Sequence, residues 1–363
     1  MKHLHLFRND KFIRPYIEFI NQNFNKDEHK FLIIDGIKEK DIKIPFDENI
    51  EKYISKGRNF NGIIKKVFLI LQLPILYLKL FNSCKNGEKI YFHGLFDQRI
   101  IVFLYLFKGF LNKSNWVIWG GDLYKDSNKK TIFYKIEYFV KNKMRYVSTV
   151  VPEDYDEAKY RYNITGKYKK AIYLNPIKLE YLNTLENNKK KEETFIQIGN
   201  SADPQNNHIE ILKKLSKFKN ENIKIYCPLS YGDLNYGKEV EKYGKNIFGE
   251  KLICLFKFLT PKEYSKYLSE IDILIFNHKR QQGLGNIFAL GYLNKKIYIR
   301  DDISTWNYLT DELELKIYNS NTIDNENFEE FIKNIKNENK EKILNSVYSE
   351  KYIKNIWEKN FEL

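Results

Sequence analysis

Three strand-to-helix turns in this chain are crowded with side chains able to hold an anion or a sugar. The stretch Phe276 to Asn286, F-N-H-K-R-Q-Q-G-L-G-N, sets Asn277, His278, Arg280, Gln281, Gln282 and Asn286 on one turn, a density of donors hard to account for as plain surface. A guanidinium fork pairs bidentately with phosphate, and amides read sugar hydroxyls or a nucleobase. The stretch Ile196 to His208, I-Q-I-G-N-S-A-D-P-Q-N-N-H, places a small polar loop between a strand and a helix. Backbone N–H groups at that helix start, supported by Asn200, Ser201, Asn206 and Asn207, would face a diphosphate and gain from the helix dipole. Asp, Ser and Asn are also the usual capping residues, so the same letters fit a simple N-cap cluster. Pro228 to Gly232, P-L-S-Y-G, offers the Ser230 hydroxyl and the Tyr231 ring to a base or sugar, and turn chemistry accounts for it equally well.

Two further blocks in the first half, His93-Gly94-Leu95-Phe96-Asp97 and Trp116 to Tyr124, W-V-I-W-G-G-D-L-Y, also fall where strands end. Gly120 and Gly121 permit close backbone approach, and Asp122 directly after them is the first candidate for a general base. His93 is the second, since an imidazole either takes a proton or hydrogen-bonds within a wall. Either residue could equally be structural. The fingerprints of P-loop ATPases, serine hydrolases, zincins and dinucleotide dehydrogenases are absent from suitable settings. No D-x-D pair is present either, so a leaving diphosphate would be stabilised by Arg280, hydroxyls and backbone donors, with neither metal nor cofactor expected.

These turns need sheets to carry them. Lys2 to Phe7, Lys30 to Asp35, Glu88 to His93 and Asn115 to Trp119 read as buried strands alternating with helices. So do Thr194 to Gly199, Ile223 to Cys227, Ile271 to Asn277 and Lys296 to Arg300, with helices starting near Asn207, Tyr236, Pro261 and Gly285. The expectation is an α/β chain of two Rossmann-like domains facing a cleft, with ligands at the carboxyl ends of the strands. Its 363 residues exceed what one core sustains. The low-complexity run 186–193 is the expected linker between domains 1–185 and 194–340, and 341–363 is expected to form a helix packing back on the first domain.

A hydrophobic content of 43% excludes a disordered chain, and the net charge of +14 favours an anionic partner. The Lys residues are scattered rather than clustered with aromatics on one face, which argues against nucleic acid. Cys84, Cys227 and Cys254 show neither metal-ligand nor disulfide spacing, and Met1 to Arg8 opens on a strand pattern rather than a signal peptide; both point to the cytoplasm. Ile63 to Phe81, I-I-K-K-V-F-L-I-L-Q-L-P-I-L-Y-L-K-L-F, reads either as a core helix pair bent at Pro74 or as an interfacial helix, its charges opposing a bilayer span.

The blocks at 93–97, 116–124, 198–232 and 276–287, in this order and spacing, resemble the bacterial TDP-N-acetylfucosamine:lipid II N-acetylfucosaminyltransferases, glycosyltransferase family 56. The resemblance implies a GT-B fold and an inverting, metal-independent transfer from a nucleotide-sugar donor, TDP-sugar favoured, to an undecaprenyl-diphosphate-linked glycan. It also implies a peripheral protein at the cytoplasmic face of the inner membrane. In that reading Asp122 or His93 is the base. Asn200, Ser201, Asn206, Asn207, Ser230, Tyr231, Arg280, Gln281, Gln282 and Asn286 bind the donor. The competing readings are a GDP- or UDP-dependent deoxysugar transferase acting on a surface glycan or protein, and a non-catalytic basic binder of membranes or nucleic acid.

Overall fold

The computed structural model describes residues 1–8, 13–34, 47–55, 62–124, 131–183, 193–333 and 338–362. The chain divides into a first unit, Met1–Leu174 with Ile353–Leu363, and a second, Asn175–Tyr352.

In the first unit β1 (His3–Arg8), β2 (His29–Ile34), β3 (Ile50–Tyr53), β4 (Lys89–His93), β5 (Ser114–Val117), β6 (Tyr146–Thr149) and β7 (Lys167–Lys170) form one parallel sheet. Their order is β3-β2-β1-β4-β5-β6-β7. The alternation of H-L-H-L-F-R decides its two faces. Leu4 and Leu6 join Leu32, Ile90, Phe92 and Trp116 in a core closed by Leu76, Leu80, Phe103 and Val140 from the covering helices. His3, His5 and Phe7 point the other way, into a layer of rings with Tyr16, Tyr91 and Phe361.

The second sheet comprises β8 (Thr194–Ile198), β9 (Ile223–Pro228), β10 (Leu252–Leu255), β11 (Ile273–Phe276), β12 (Lys296–Ile299) and β13 (Tyr318–Asn319). It is parallel throughout, in the order β10-β9-β8-β11-β12-β13. Strand β11, I-L-I-F, is buried along its whole length, as a central strand covered on both faces must be. Counted within each unit, the second sheet runs 3-2-1-4-5-6, the doubly wound order, and the first runs the same way with a seventh strand added at its end; the direction of winding reverses between the first and fourth strands. In doubly wound sheets ligands bind at such a reversal, which falls between β1 and β4 in one sheet and between β8 and β11 in the other.

The division differs from the expected boundaries in two places. Residues 175–183 belong to the second unit, where Asn175 Nδ2 donates to Gly285 O at 3.1 Å and to the Tyr348 hydroxyl at 2.8 Å. The start of the terminal segment 341–363 belongs there too, with Tyr348 donating to Ile177 O at 2.9 Å. Beyond it, Trp357 Nε1 donates to Ile172 O at 2.8 Å and Asn360 Nδ2 to Lys170 O at 2.6 Å, both within the first unit. Apart from Glu193, the expected linker 186–193 lies outside the described residues.

The apolar stretch folds as two helices, Gly62–Leu71 and Leu73–Asn86, with Pro74 in the opening turn of the second where its missing N–H is harmless. They differ in burial. The second sends Leu76, Leu80 and Cys84 into the core. The first leaves Ile63 78% and Leu71 68% exposed, with Ile64, Val67, Phe68 and Ile70 also on the surface. The side chains of Lys65 and Lys66 lie outside the described residues. Among the described residues no helix is long and apolar enough to cross a membrane.

Candidate active site

Topology puts the two richest donor turns side by side, because β8 and β11 are adjacent where the second sheet reverses. Strand β8 ends at Gly199, in the left-handed region at φ +62°, and a Cβ there would lie 2.2 Å from His208 Nε2. Only glycine fits this combination of backbone and close approach. Asp203 then caps a short turn through Gln205 N and accepts from Arg280 Nη2 at 2.8 Å. Asn206 is the hub of the loop. Its oxygen accepts from Asn200 N at 2.8 Å, and its nitrogen donates to Asp203 O at 3.0 Å and Ser201 Oγ at 3.2 Å.

The second turn closes on the first. Gln282 Nε2 donates to Asn200 Oδ1 at 3.0 Å and lies 3.4 Å from Ser201 Oγ, while Asn200 Nδ2 donates to the Tyr231 hydroxyl at 3.0 Å. Tyr231 stacks against Phe258 at 5.8 Å. Asn200, Ser201, Asn206, Tyr231, Arg280 and Gln282 are thus one connected network. Gln281 adjoins it through its carbonyl, which accepts from Arg280 at 3.2 Å, and Ser230 stands half-buried before Tyr231. Two expected donors are turned to other partners. Asn207, itself left-handed at φ 54°, donates to Glu210, and Asn286 accepts from the Tyr264 hydroxyl at 2.9 Å.

Two histidines belong to this site: His278, one of the donors that the sequence crowds on the 276–286 turn, and His208, which ends the 196–208 block and was not singled out as a donor. The His208 backbone N–H donates to the Tyr236 hydroxyl at 3.2 Å and its Nδ1 lies 3.3 Å from the same oxygen. Among the described residues its buried Nε2 has no partner. His278 spans the two turns, its Nε2 2.9 Å from Asn206 Oδ1 and its Nδ1 3.2 Å from Gln282 O. Burial holds His208 at about 4 and His278 at about 3. The sequence signal was only that both are polar rings at strand or helix ends, which does not separate a site from a wall.

In the first unit the blocks at 93–97 and 116–124 are locked together by Asp122. Its Oδ2 accepts from Leu95 N at 2.8 Å and Trp116 Nε1 at 2.6 Å, and its Oδ1 from Trp119 N at 2.9 Å. The carboxylate is 2% exposed, so most of its hydrogen-bonding capacity is spent on holding two loops in register. Gly94 and Gly121 pack on the Phe96 ring, a Cβ meeting it at 2.4 Å and 3.1 Å respectively. Asp97 caps the helix Gln98–Leu106 and pairs with Arg99 at 2.6 Å.

His93 is equally committed. Its Nε2 lies 3.1 Å from His5 Nδ1, His5 Nε2 lies 3.0 Å from His29 Nδ1, and His93 Nδ1 meets the Tyr173 hydroxyl. Trp119 Nε1 donates to that hydroxyl at 2.9 Å. The row crosses three adjacent strands, and burial pushes His5 and His93 well below the usual imidazole range. Both ring nitrogens of His93 are occupied, one by His5 and the other by the Tyr173 hydroxyl.

Solved structures define the class. The chain is similar over 99% of its length to a glycosyltransferase from Rickettsia africae, with 98% of that chain covered, a TM-score of 0.68 and 14% identity. Sucrose-phosphate synthase from Thermosynechococcus elongatus is similar at a TM-score of 0.68 and 9% identity, with 100% of this chain and 98% of that one covered. A trehalose-6-phosphate enzyme structure from E. coli gives 0.64 and 10% over 99% of both chains. At these identities the likeness is one of fold, that of the two-unit GT-B glycosyltransferases. Residues 79–362 match the family described as 4-alpha-L-fucosyltransferase, glycosyl transferase group 56, and the chain belongs to that family. It is a glycosyltransferase.

Proposed function

We infer that the chain moves a deoxyhexose of the N-acetylfucosamine type from a TDP-sugar to a lipid-linked glycan, with inversion and without a required metal. The observation that supports this reading is the network at the β8/β11 reversal, where Asn200, Ser201, Gln282 and Arg280 come together at the carboxyl ends of the strands, the position at which doubly wound sheets generally bind ligands. The E. coli protein of similar fold is bound with UDP-2-fluoro glucose, a sugar nucleotide. In a single displacement the acceptor oxygen bonds to the anomeric carbon, the bond from that carbon to the diphosphate breaks, and the acceptor proton passes to a base.

Purified protein is expected to be stabilised by TDP-sugars more than by UDP- or GDP-sugars in thermal shift, with the response surviving chelator. Preference for GDP or UDP would move the assignment to another deoxysugar transferase, and no response to any nucleotide would favour a binding protein.

Asp122 and His93 are the proposed bases, Asp122 first. Asp122→Asn is expected to lower kcat by about 10²–10⁴. His93→Ala should do less, since its imidazole reaches outward only through Tyr173. Wild-type turnover in both variants would rule out both residues.

Membrane attachment rests on the outward apolar face of the helix Gly62–Leu71. Scattered surface hydrophobics are ordinary, but a helix exposing Ile63, Ile64, Val67, Phe68, Ile70 and Leu71 together is suited to lying in a lipid interface. Replacing Lys65 and Lys66 by Gln should weaken binding to anionic vesicles roughly 30-fold, at about 1 kcal/mol for each charge. Unchanged co-sedimentation would remove this part of the reading.

A further inference from the structure

His278 is buried on the turn after β11, its ring stacked 4.3 Å from that of Phe276. What faces its two nitrogens can be read without ambiguity. The Asn206 amide is oriented by backbone groups that have one role each: its oxygen accepts the Asn200 N–H at 2.8 Å and its nitrogen donates to the Asp203 carbonyl at 3.0 Å. The atom 2.9 Å from His278 Nε2 is therefore an acceptor oxygen. The atom 3.2 Å from Nδ1 is the Gln282 backbone carbonyl, which can only accept. A neutral imidazole carries one N–H and must turn the lone pair of its other nitrogen on an oxygen; an imidazolium donates to both.

The same contacts make His278 a clasp. Through Asn206 it holds the loop that follows β8, and through Gln282 the loop that follows β11. Gln282 in turn reaches Asn200 and Ser201.

We propose that His278 is a proton-carrying clasp beneath the anion site, neutral in the empty protein and imidazolium once a diphosphate ester lies on the loops it joins, so that donor binding takes up a proton. The inference rests on the reading of this network as the donor site. Burial is what chiefly keeps the ring neutral in the empty site; the Gln282 carbonyl favours its charged form, while His208 on the neighbouring helix and Arg280 on its own turn oppose it less strongly, and Asp203 is paired with Arg280 at 2.8 Å. A bound diphosphate reverses the local field, and the two waiting carbonyl oxygens then favour the doubly protonated ring. His278 acts through the loops it positions, not by touching the reacting atoms.

The sign follows from linkage. A complex that holds more protons than the free protein binds its ligand less tightly as pH rises. The probe is TDP-glucose, whose diphosphate diester has no proton to exchange near neutrality. Calorimetric titration at pH 6 in two buffers of different ionisation enthalpy should show net uptake approaching one proton, and Kd should rise with pH by up to about tenfold per unit. His278→Gln keeps a donor but cannot carry the charge. It should bind with no uptake and a flat pH dependence, whereas a purely structural defect would weaken binding equally at every pH. His208→Gln separates the two rings: uptake lost there and retained in His278→Gln would overturn the proposal.

Should His278→Gln fail to fold, nitrogen-15 spectra of the wild-type imidazoles supply the same reading, with both His278 nitrogens protonated only in the complex. Binding of TDP-glucose without proton uptake overturns this proposal alone. Binding of no sugar nucleotide at all overturns the functional reading together with it.

Discussion

Lowering the pH of the purified protein from 6.5 towards 4.5 is expected to unfold it before most carboxylates are protonated. All six histidines are buried, and burial lowers every one: His3 and His278 to about 3, His29 and His208 to about 4, His5 and His93 well below the usual value. Folded pKa values below the unfolded 6.5 mean that the unfolded chain binds more protons between these limits. Stability is therefore undiminished above pH 6.5 and lost as pH falls from there towards 4. At pH 5 each such group costs about 2 kcal/mol, so six together rival the whole stability of an ordinary domain, about 5–15 kcal/mol.

The first unit holds His3, His5, His29 and His93 and should give way before the second, which holds His208 and His278. Tryptophan fluorescence reports mainly on the first, since Trp116, Trp119 and Trp357 lie there and only Trp306 lies in the second. A midpoint below pH 4 would show that the rings are not held neutral.

The second large effect concerns Lys141, which is completely buried. Its ammonium donates to Glu137 Oε1 at 2.7 Å, to the Asp122 carbonyl at 2.6 Å and to the Tyr162 hydroxyl at 3.1 Å, and lies 4.7 Å over the Trp116 ring. Lys141→Met should lower the unfolding free energy by about 3–5 kcal/mol in urea, because it strands the Glu137 carboxylate inside the core. Most of the loss is the unpaired charge rather than the missing attraction. The double variant Lys141→Met/Glu137→Leu should therefore recover most of it, and a double variant no better than the single would refute that account. Because Lys141 also holds the Asp122 carbonyl, the single variant should loosen the loop at 119–124 as well.

What could be read before folding depended on how local the signal was. Strands β2, β4, β8, β9, β11 and β12 announce themselves by their apolar residues, since a parallel strand covered on both faces has few polar positions, β1 by the alternation of H-L-H-L-F-R, and β5 (S-N-W-V) by the apolar W-V-I-W that begins within it. Strand β3 (I-E-K-Y), β7 (K-Y-K-K), β10 (L-I-C-L) and β13 (Y-N) were not recognised, and each is an edge strand. Edge strands are short, and β3 and β7 carry charge, which erases the pattern. The inner strand β6 (Y-V-S-T) buries Ser148 and Thr149 and so lacks an apolar run.

By itself, then, the sequence determined the two parallel-sheet units, the polar turns at their strand ends and the family. The units and the turns follow from periodicity and from residue types concentrated at strand ends, which are properties of neighbours in the chain; the family follows from the resemblance of the blocks at 93–97, 116–124, 198–232 and 276–287. Only the tertiary structure decided which polar groups are spent on one another. Asp122 is tied to Leu95, Trp116 and Trp119, Asn206 to Asn200 and His278, and His93 to His5 and Tyr173. A hydrogen bond depends on the position of two groups within a few tenths of an ångström, and partners such as Asn206 and His278, 72 residues apart, meet only because β8 and β11 lie side by side.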